Sequence, residues 1–154
     1  MRRLFLLIIA TLVCAVPFSA AAATGRVVKV LPHFLDLKGR HSLSPSLYDR
    51  DAYQAQLRKN PGQRSGLRFD VHWRASGASG KLILRAELRG TAQGTQPRQT
   101  TLETELAAGK TSANHWNSLL LGGEDFKNFG EVTAWRVTLW DGEQLVGEQK
   151  SFLW

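Results

Sequence analysis

Sulfur is nearly absent from this chain, which has one cysteine, Cys14, and one methionine. A lone cysteine cannot close an intramolecular disulfide, and it excludes a four-cysteine zinc site. The four histidines, His33, His41, His72 and His115, are scattered, without an i, i+4 pair or an HExxH arrangement. No GxSxG elbow and no glycine-rich phosphate loop occurs. Long apolar runs are missing too: the longest, Leu4 to Val13, is too short to cross a bilayer. These absences remove the familiar signatures of metalloproteases, serine hydrolases and nucleotide-binding enzymes.

What is present begins with a leader. MRRLFLLIIATLVCAVPFSAAAATG opens on two arginines, runs through the apolar stretch, breaks at Pro17 and ends in small residues, the pattern of a secretory signal peptide. Cleavage near Ala21 or Ala23 makes residues 1–23 the signal and 24–154 a single mature domain beginning near Thr24. RRLFL resembles the core of a twin-arginine export signal, with Leu7 where that signal usually has lysine, so the export route stays open. Cys14 follows Val13, bulkier than a lipoprotein cleavage site prefers, and leaves with the leader. Arg2 and Arg3 leave as well, so the formal charge of +7 falls to +5. The mature chain, free of disulfides and of transmembrane helices, is expected to be periplasmic or secreted. Its roughly 130 residues suffice for one apolar core.

Period-two alternation dominates the mature chain. In GLRFDVHWRA, Leu67, Phe69, Val71 and Trp73 share one face, and Arg68, Asp70, His72 and Arg74 the other, as a strand with one buried face requires. KLILRAELRG repeats the pattern through Leu82, Leu84, Ala86 and Leu88, and ASGASG between them is turn material. TTLETELAAG and NHWNSLLLGG alternate more weakly. EVTAWRVTLW and EQLVGEQKSFLW form a hairpin about Asp141-Gly142. GRVVKVLPHFLDLKG is extended, with Pro32 placing it at an edge. SPSLYDRDAYQAQLRKNPG supplies one helix, capped by Ser44 or Asp49 and stopped at Asn60-Pro61-Gly62. TAQGTQPRQ reads as a polar loop, and so does GGEDFKNFG.

About seven strands at this spacing predict an all-β, two-sheet antiparallel sandwich with one short helix inserted after the first strand. The order of an edge strand with proline, five further strands and a closing hairpin resembles the immunoglobulin and fibronectin type III sandwiches in general pattern. The cysteine pair of antibody domains is absent.

Five tryptophans need a place. Trp73 and Trp135 share parity with apolar neighbours and belong to the core. Trp116 is ambiguous, because Ser118 and Leu120 share its parity. Trp140 has the opposite parity from Trp135 and is the candidate exposed ring. Hairpin register decides the tail: one loop length opposes Val137 to Val146, another to Leu145, so either Leu153 or the Phe152 and Trp154 pair faces outward. The candidate ligand-binding residues are therefore Trp140, Trp154, Phe152, Arg68, His72 and Arg74. No residue is assigned a catalytic or metal-binding role, and no cofactor is expected. Asp49 and Asp51 suit a helix start, where negative charge is favourable. Adjacent Glu124 and Asp125 do not span a cleft as paired catalytic carboxyls must.

Three functions fit these readings. The first is an exported, non-enzymatic protein-interaction or envelope-structural module. The second is a carbohydrate-binding module stacking sugars on Trp140. The third follows from Phe152-Leu153-Trp154, which resembles the C-terminal assembly signal of outer-membrane β-barrels and implies a small barrel. A protein partner in the envelope or extracellular space is expected first, a glycan second, and nucleic acid not at all.

Overall fold

The structure is a computed structural model that describes residues 23–78, 80–106 and 114–154. Residues 1–22 of the expected leader lie outside the described residues, as do Ser79 of the expected turn and residues 107–113. Seven strands are described: β1 (Thr24–Asp36), β2 (Arg64–Ser76), β3 (Leu82–Ala92), β4 (Gln96–Glu105), β5 (His115–Gly122), β6 (Glu131–Asp141) and β7 (Gln144–Lys150). Helix α1 (Leu47–Lys59) joins β1 to β2, and the short α2 (Gly123–Phe129) joins β5 to β6. The strands form two antiparallel sheets, ordered β1-β2-β5 and β4-β3-β6-β7. This is the expected sandwich.

Alternation builds the core. Leu67, Phe69, Val71 and Trp73 of β2 face Leu82, Leu84, Ala86 and Leu88 of β3, joined by Leu119 and Leu121 of β5 and Val137 and Leu139 of β6, all buried. Each large apolar side chain buried this way contributes roughly 1.5–3 kcal/mol. Trp135 packs partly buried against this core, its ring edge-on to Phe69 at 6.3 Å. No helix among the described residues is long and apolar enough to cross a membrane.

The first strand's outer edge is managed in two ways. At its start, Gly25 and Gly147 let β1 approach β7: a Cβ on Gly147 would lie 2.9 Å from Arg26 Cα. At its end, the Gln54 amide of α1 accepts from Phe34 N and donates to Phe34 O, both at 2.9 Å, standing in for a neighbouring strand. Helix α1 starts on Ser46, not on Ser44 or Asp49: the Ser46 side chain accepts from Asp49 N, while Ser44 Oγ accepts from Ser46 N and donates to the Asp49 carboxylate. It ends at Asn60, as expected.

Four local readings are corrected. GGEDFKNFG is largely helix α2, which buries Phe129. In TAQGTQPRQ only Gln93, Gly94 and Thr95 form the turn, with Gln93 and Gly94 at positive φ, and the flanks pair as β3 and β4. The last hairpin turns on Gly142-Glu143 with Asp141 opposite Gln144, and a bulge between Leu139 and Trp140 then sets Val137 against Gln149. Neither register derived from Asp141-Gly142 is adopted, because Gly142 takes the positive φ of the first central position. The tail finally leaves the strand altogether: Ser151 N donates to Trp135 O, Ser151 Oγ accepts from Trp135 N, and Trp154 N closes a turn onto Ser151 O. Phe152 and Leu153 are consequently both exposed, and Trp154 is not paired with Phe152.

Candidate functional site

The outer face of the four-stranded sheet brings two tryptophans and three arginines together. Arg85, Glu87 and Arg89 alternate outward on β3, opposite Thr138, Arg136 and Ala134 of β6 and Glu103, Thr101 and Gln99 of β4. Trp140 lies back along its own strand, its Nε1 donating to Thr138 Oγ1 at 2.9 Å, and Thr138 is buried although it points outward. The Arg85 guanidinium carbon stands 5.3 Å from the Trp140 ring centre while its Nε pairs with Glu103 at 2.6 Å. At the other end, the turn at Ser151 swings Trp154 onto Arg89, 4.0 Å from the ring centre, and Arg136, 5.1 Å away. Arg136 is itself held by Glu87 at 2.6 Å. Arg85 and Arg89 are four residues apart, roughly 13 Å along a strand. The result is one stripe, tryptophan and arginine at both ends with carboxylates between, in which each ring is fixed by a cation–π contact.

The outer face of the three-stranded sheet is organised differently, around Asp70. Ser118 Oγ donates to its Oδ1 at 2.6 Å, and His33 Nδ1 donates to its Oδ2 at 3.1 Å. Arg68 Nη2 donates to the same Oδ2 and to His41 Nδ1, at 3.0 and 3.1 Å. Arg68 Nε lies 3.0 Å from Oδ1 without hydrogen-bond alignment. Burial pushes the Asp70 carboxyl up, but the bonds from His33, Ser118 and Arg68 outweigh it and hold the group well below the usual carboxylate range. Burial, then Arg68, then His33 push the His41 imidazole down. Asp36 nearby is a parallel case: burial pushes it up, yet the backbone N–H of Arg40, the Tyr53 hydroxyl, the Arg40 side chain and the Lys38 N–H prevail and lower it. Ser118 and His33 both bond the carboxylate rather than each other, so the imidazole is not placed to take the serine proton as a hydrolase triad requires. The network instead ties the loop after β1 to the sheet.

The six sequence candidates are thus divided between opposite faces. Trp140 and Trp154 share the stripe, although Trp140 is half-buried, and Trp116, at 53% exposure, is the most open tryptophan. Phe152 projects from the tail turn, fully exposed. Arg68 belongs to the Asp70 network. His72 stacks under Trp116, ring centres 4.8 Å apart and nearly parallel. Arg74 stands opposite Arg26 at the far end of β1 and β2. Arg85, Arg89 and Arg136 are the members that sequence reasoning missed as ring partners. The shared parity of Arg85 and Arg89 was visible, but the arrival of Trp154 above Arg89 depends on the Ser151 turn.

A separate cleft of about 390 Å³ opens between β1 and β6, floored by Phe34, Leu67 and Trp135. On its rim, Arg64 covers the Phe34 ring at 4.1 Å and bonds Glu131 at 3.0 Å. Among the described residues, no group of three His, Cys, Asp or Glu side chains is placed to hold a metal ion. Compared with known proteins, the chain matches no family model, no curated protein and no solved structure.

Proposed function

We propose that the mature chain is an exported, non-enzymatic interaction module that engages a protein partner through the outer face of its four-stranded sheet. The observation that carries this reading is the fixed stripe of Trp140, Arg85, Arg136, Arg89 and Trp154. Tryptophan and arginine dominate the energetics of protein interfaces, and rings already held by their neighbours lose little freedom on binding. Arginines already placed over both rings occupy ring faces on which a neutral sugar would stack. The barrel reading has little behind it: the strands divide between two sheets, and charged side chains stand where a lipid-facing band would be apolar.

Site-specific photo-crosslinking tests the proposal. A photoreactive residue at Gln99, beside Arg89 on this face, is expected to capture a discrete partner in intact cells, and Trp154→Ala with Arg89→Ala to abolish the adduct. Capture from position 74 on the other sheet, with none from position 99, would refute it. Retardation in gels containing a neutral polysaccharide, lost in Trp140→Ala, would transfer the assignment to the glycan reading.

A further inference from the structure

The second face offers a partner of a different kind. Three of the four sheet-edge strands are protected: β1 by Pro32, Gln54 and its approach to β7; β4 by Pro97, Arg98, Glu103 and Glu105; β7 by Glu148 and Lys150. The fourth, β5, reads HWNSLLLG and contains neither proline nor a lysine, arginine, aspartate or glutamate. It pairs only with β2, and among the described residues no backbone hydrogen bond from outside the sheet reaches it. Two of its outward side chains, Trp116 and Leu120, are each 53% exposed. An edge with this composition is a template for further strand pairing.

We propose that β5 pairs antiparallel with β5 of a second copy of this chain. The argument is the symmetry of its outward residues. Trp116 and Leu120 flank Ser118 at equal distance, so a two-fold axis through Ser118 sets Trp116 of each copy opposite Leu120 of the other, with the two serines face to face. All four exposed apolar groups are then covered by partners of like chemistry. A two-fold axis through Asn117 would set Trp116 against Ser118, and one through Leu119 would set Leu120 against Ser118; both leave an apolar group unmatched. Pairing of residues of unlike parity would turn one sheet face over. β5 itself brings no lysine, arginine, aspartate or glutamate to the seam, and the two sheets join into one of six strands. An eight-residue strand gives an interface at or below the roughly 1,200 Å² lower bound of stable specific complexes, so the dimer forms as concentration rises. The Trp140 and Trp154 stripe lies on the other sheet and stays free in both copies, which makes the assembly bivalent toward its partner.

The self-opposed position gives the test. Residues 24–154 contain no cysteine, so Ser118→Cys introduces the only thiol, and directly opposed residues in a strand pair lie within disulfide reach. Mild oxidation of purified Ser118→Cys is expected to yield a covalent dimer, while Thr101→Cys on β4 yields none. Sedimentation of the wild type should show mass doubling with concentration, and Leu120→Lys should stay monomeric with an unchanged circular dichroism spectrum. A wild type that is monomeric at every concentration would overturn the proposal. So would a wild-type dimer that Leu120→Lys leaves intact and Ser118→Cys does not trap, because it would use another face.

Discussion

His72-Trp73 on β2 and His115-Trp116 on β5 are the same dipeptide, paired across one antiparallel ladder so that each histidine faces the other strand's tryptophan. Both pairs stack, at 4.8 and 4.9 Å between ring centres. Their fates differ nonetheless: Trp73 is 2% exposed and Trp116 is 53% exposed. Consecutive residues of a strand point to opposite faces, so the inward parity of Leu67, Phe69 and Val71 carries Trp73 into the core, while that of Leu119 and Leu121 turns Trp116 out. The indole N–H buried with Trp73 donates to Asn117 Oδ1 at 2.9 Å, from a position of β5 that shares the inward parity. The same two residues therefore serve once as core and once as surface, and register alone assigns the role.

The contrast can be broken most forcefully from the inside. Trp73→Ala is expected to lower stability by about 3–5 kcal/mol, the usual result of truncating a fully buried aromatic ring, measured as the urea unfolding midpoint. Asn117→Ala should cost about 1–3 kcal/mol by leaving the Trp73 N–H without an acceptor. Most of that loss should vanish in a Trp73→Phe background, and a double-mutant cycle in which the two effects simply add would discard the contact.

The outer face beside His72 and Trp116 should respond to acid. Because the folded-state pKa of Asp70 is lowered, its contribution is complete above the unfolded carboxylate value and is lost as pH falls below about 4. Asp36 acts in the same direction, so Asp70→Asn should flatten the acid limb of a stability profile without abolishing it. His41 acts at higher pH: with its folded pKa lowered, the unfolded chain binds more protons below about 6.5, and stability declines as pH falls through that range. His41→Gln, which keeps an acceptor for Arg68, should remove this shallower step. Smallest of all, Trp116→Ala should change monomer stability by no more than about 0.5 kcal/mol; a loss matching that of Trp73→Ala would erase the distinction between the two dipeptides.

Legibility followed the strength of the alternation. In β2 and β3 four apolar residues in a row at period two left one choice of buried face, and the Asn60-Pro61-Gly62 stop of α1 stood plainly in the chain. β5 was opaque because His115 and Asn117 point inward while Trp116 and Leu120 point outward, against the usual sorting by polarity. Only the strand ends next to the Gln93-Gly94 turn were hidden, behind the polar residues of TAQGTQPRQ, since β4 is an exposed edge and needs few apolar ones. The Asp70 network joins positions 33, 41, 68, 70 and 118, too far apart for any local pattern to connect.

By itself the sequence determined the sandwich and the inward residues of its best strands, because burying one face is a demand that each strand meets with its own side chains. Which strands lie side by side, which edge stays open, and where Trp154 comes to rest were decided by the tertiary structure. Backbone N–H and C=O groups recur almost unchanged along the chain, so a hydrogen-bond ladder does not identify its partner. That choice belongs to the packing of both sheets at once, and among the described residues it left β5 as the edge strand with neither proline nor a charged side chain.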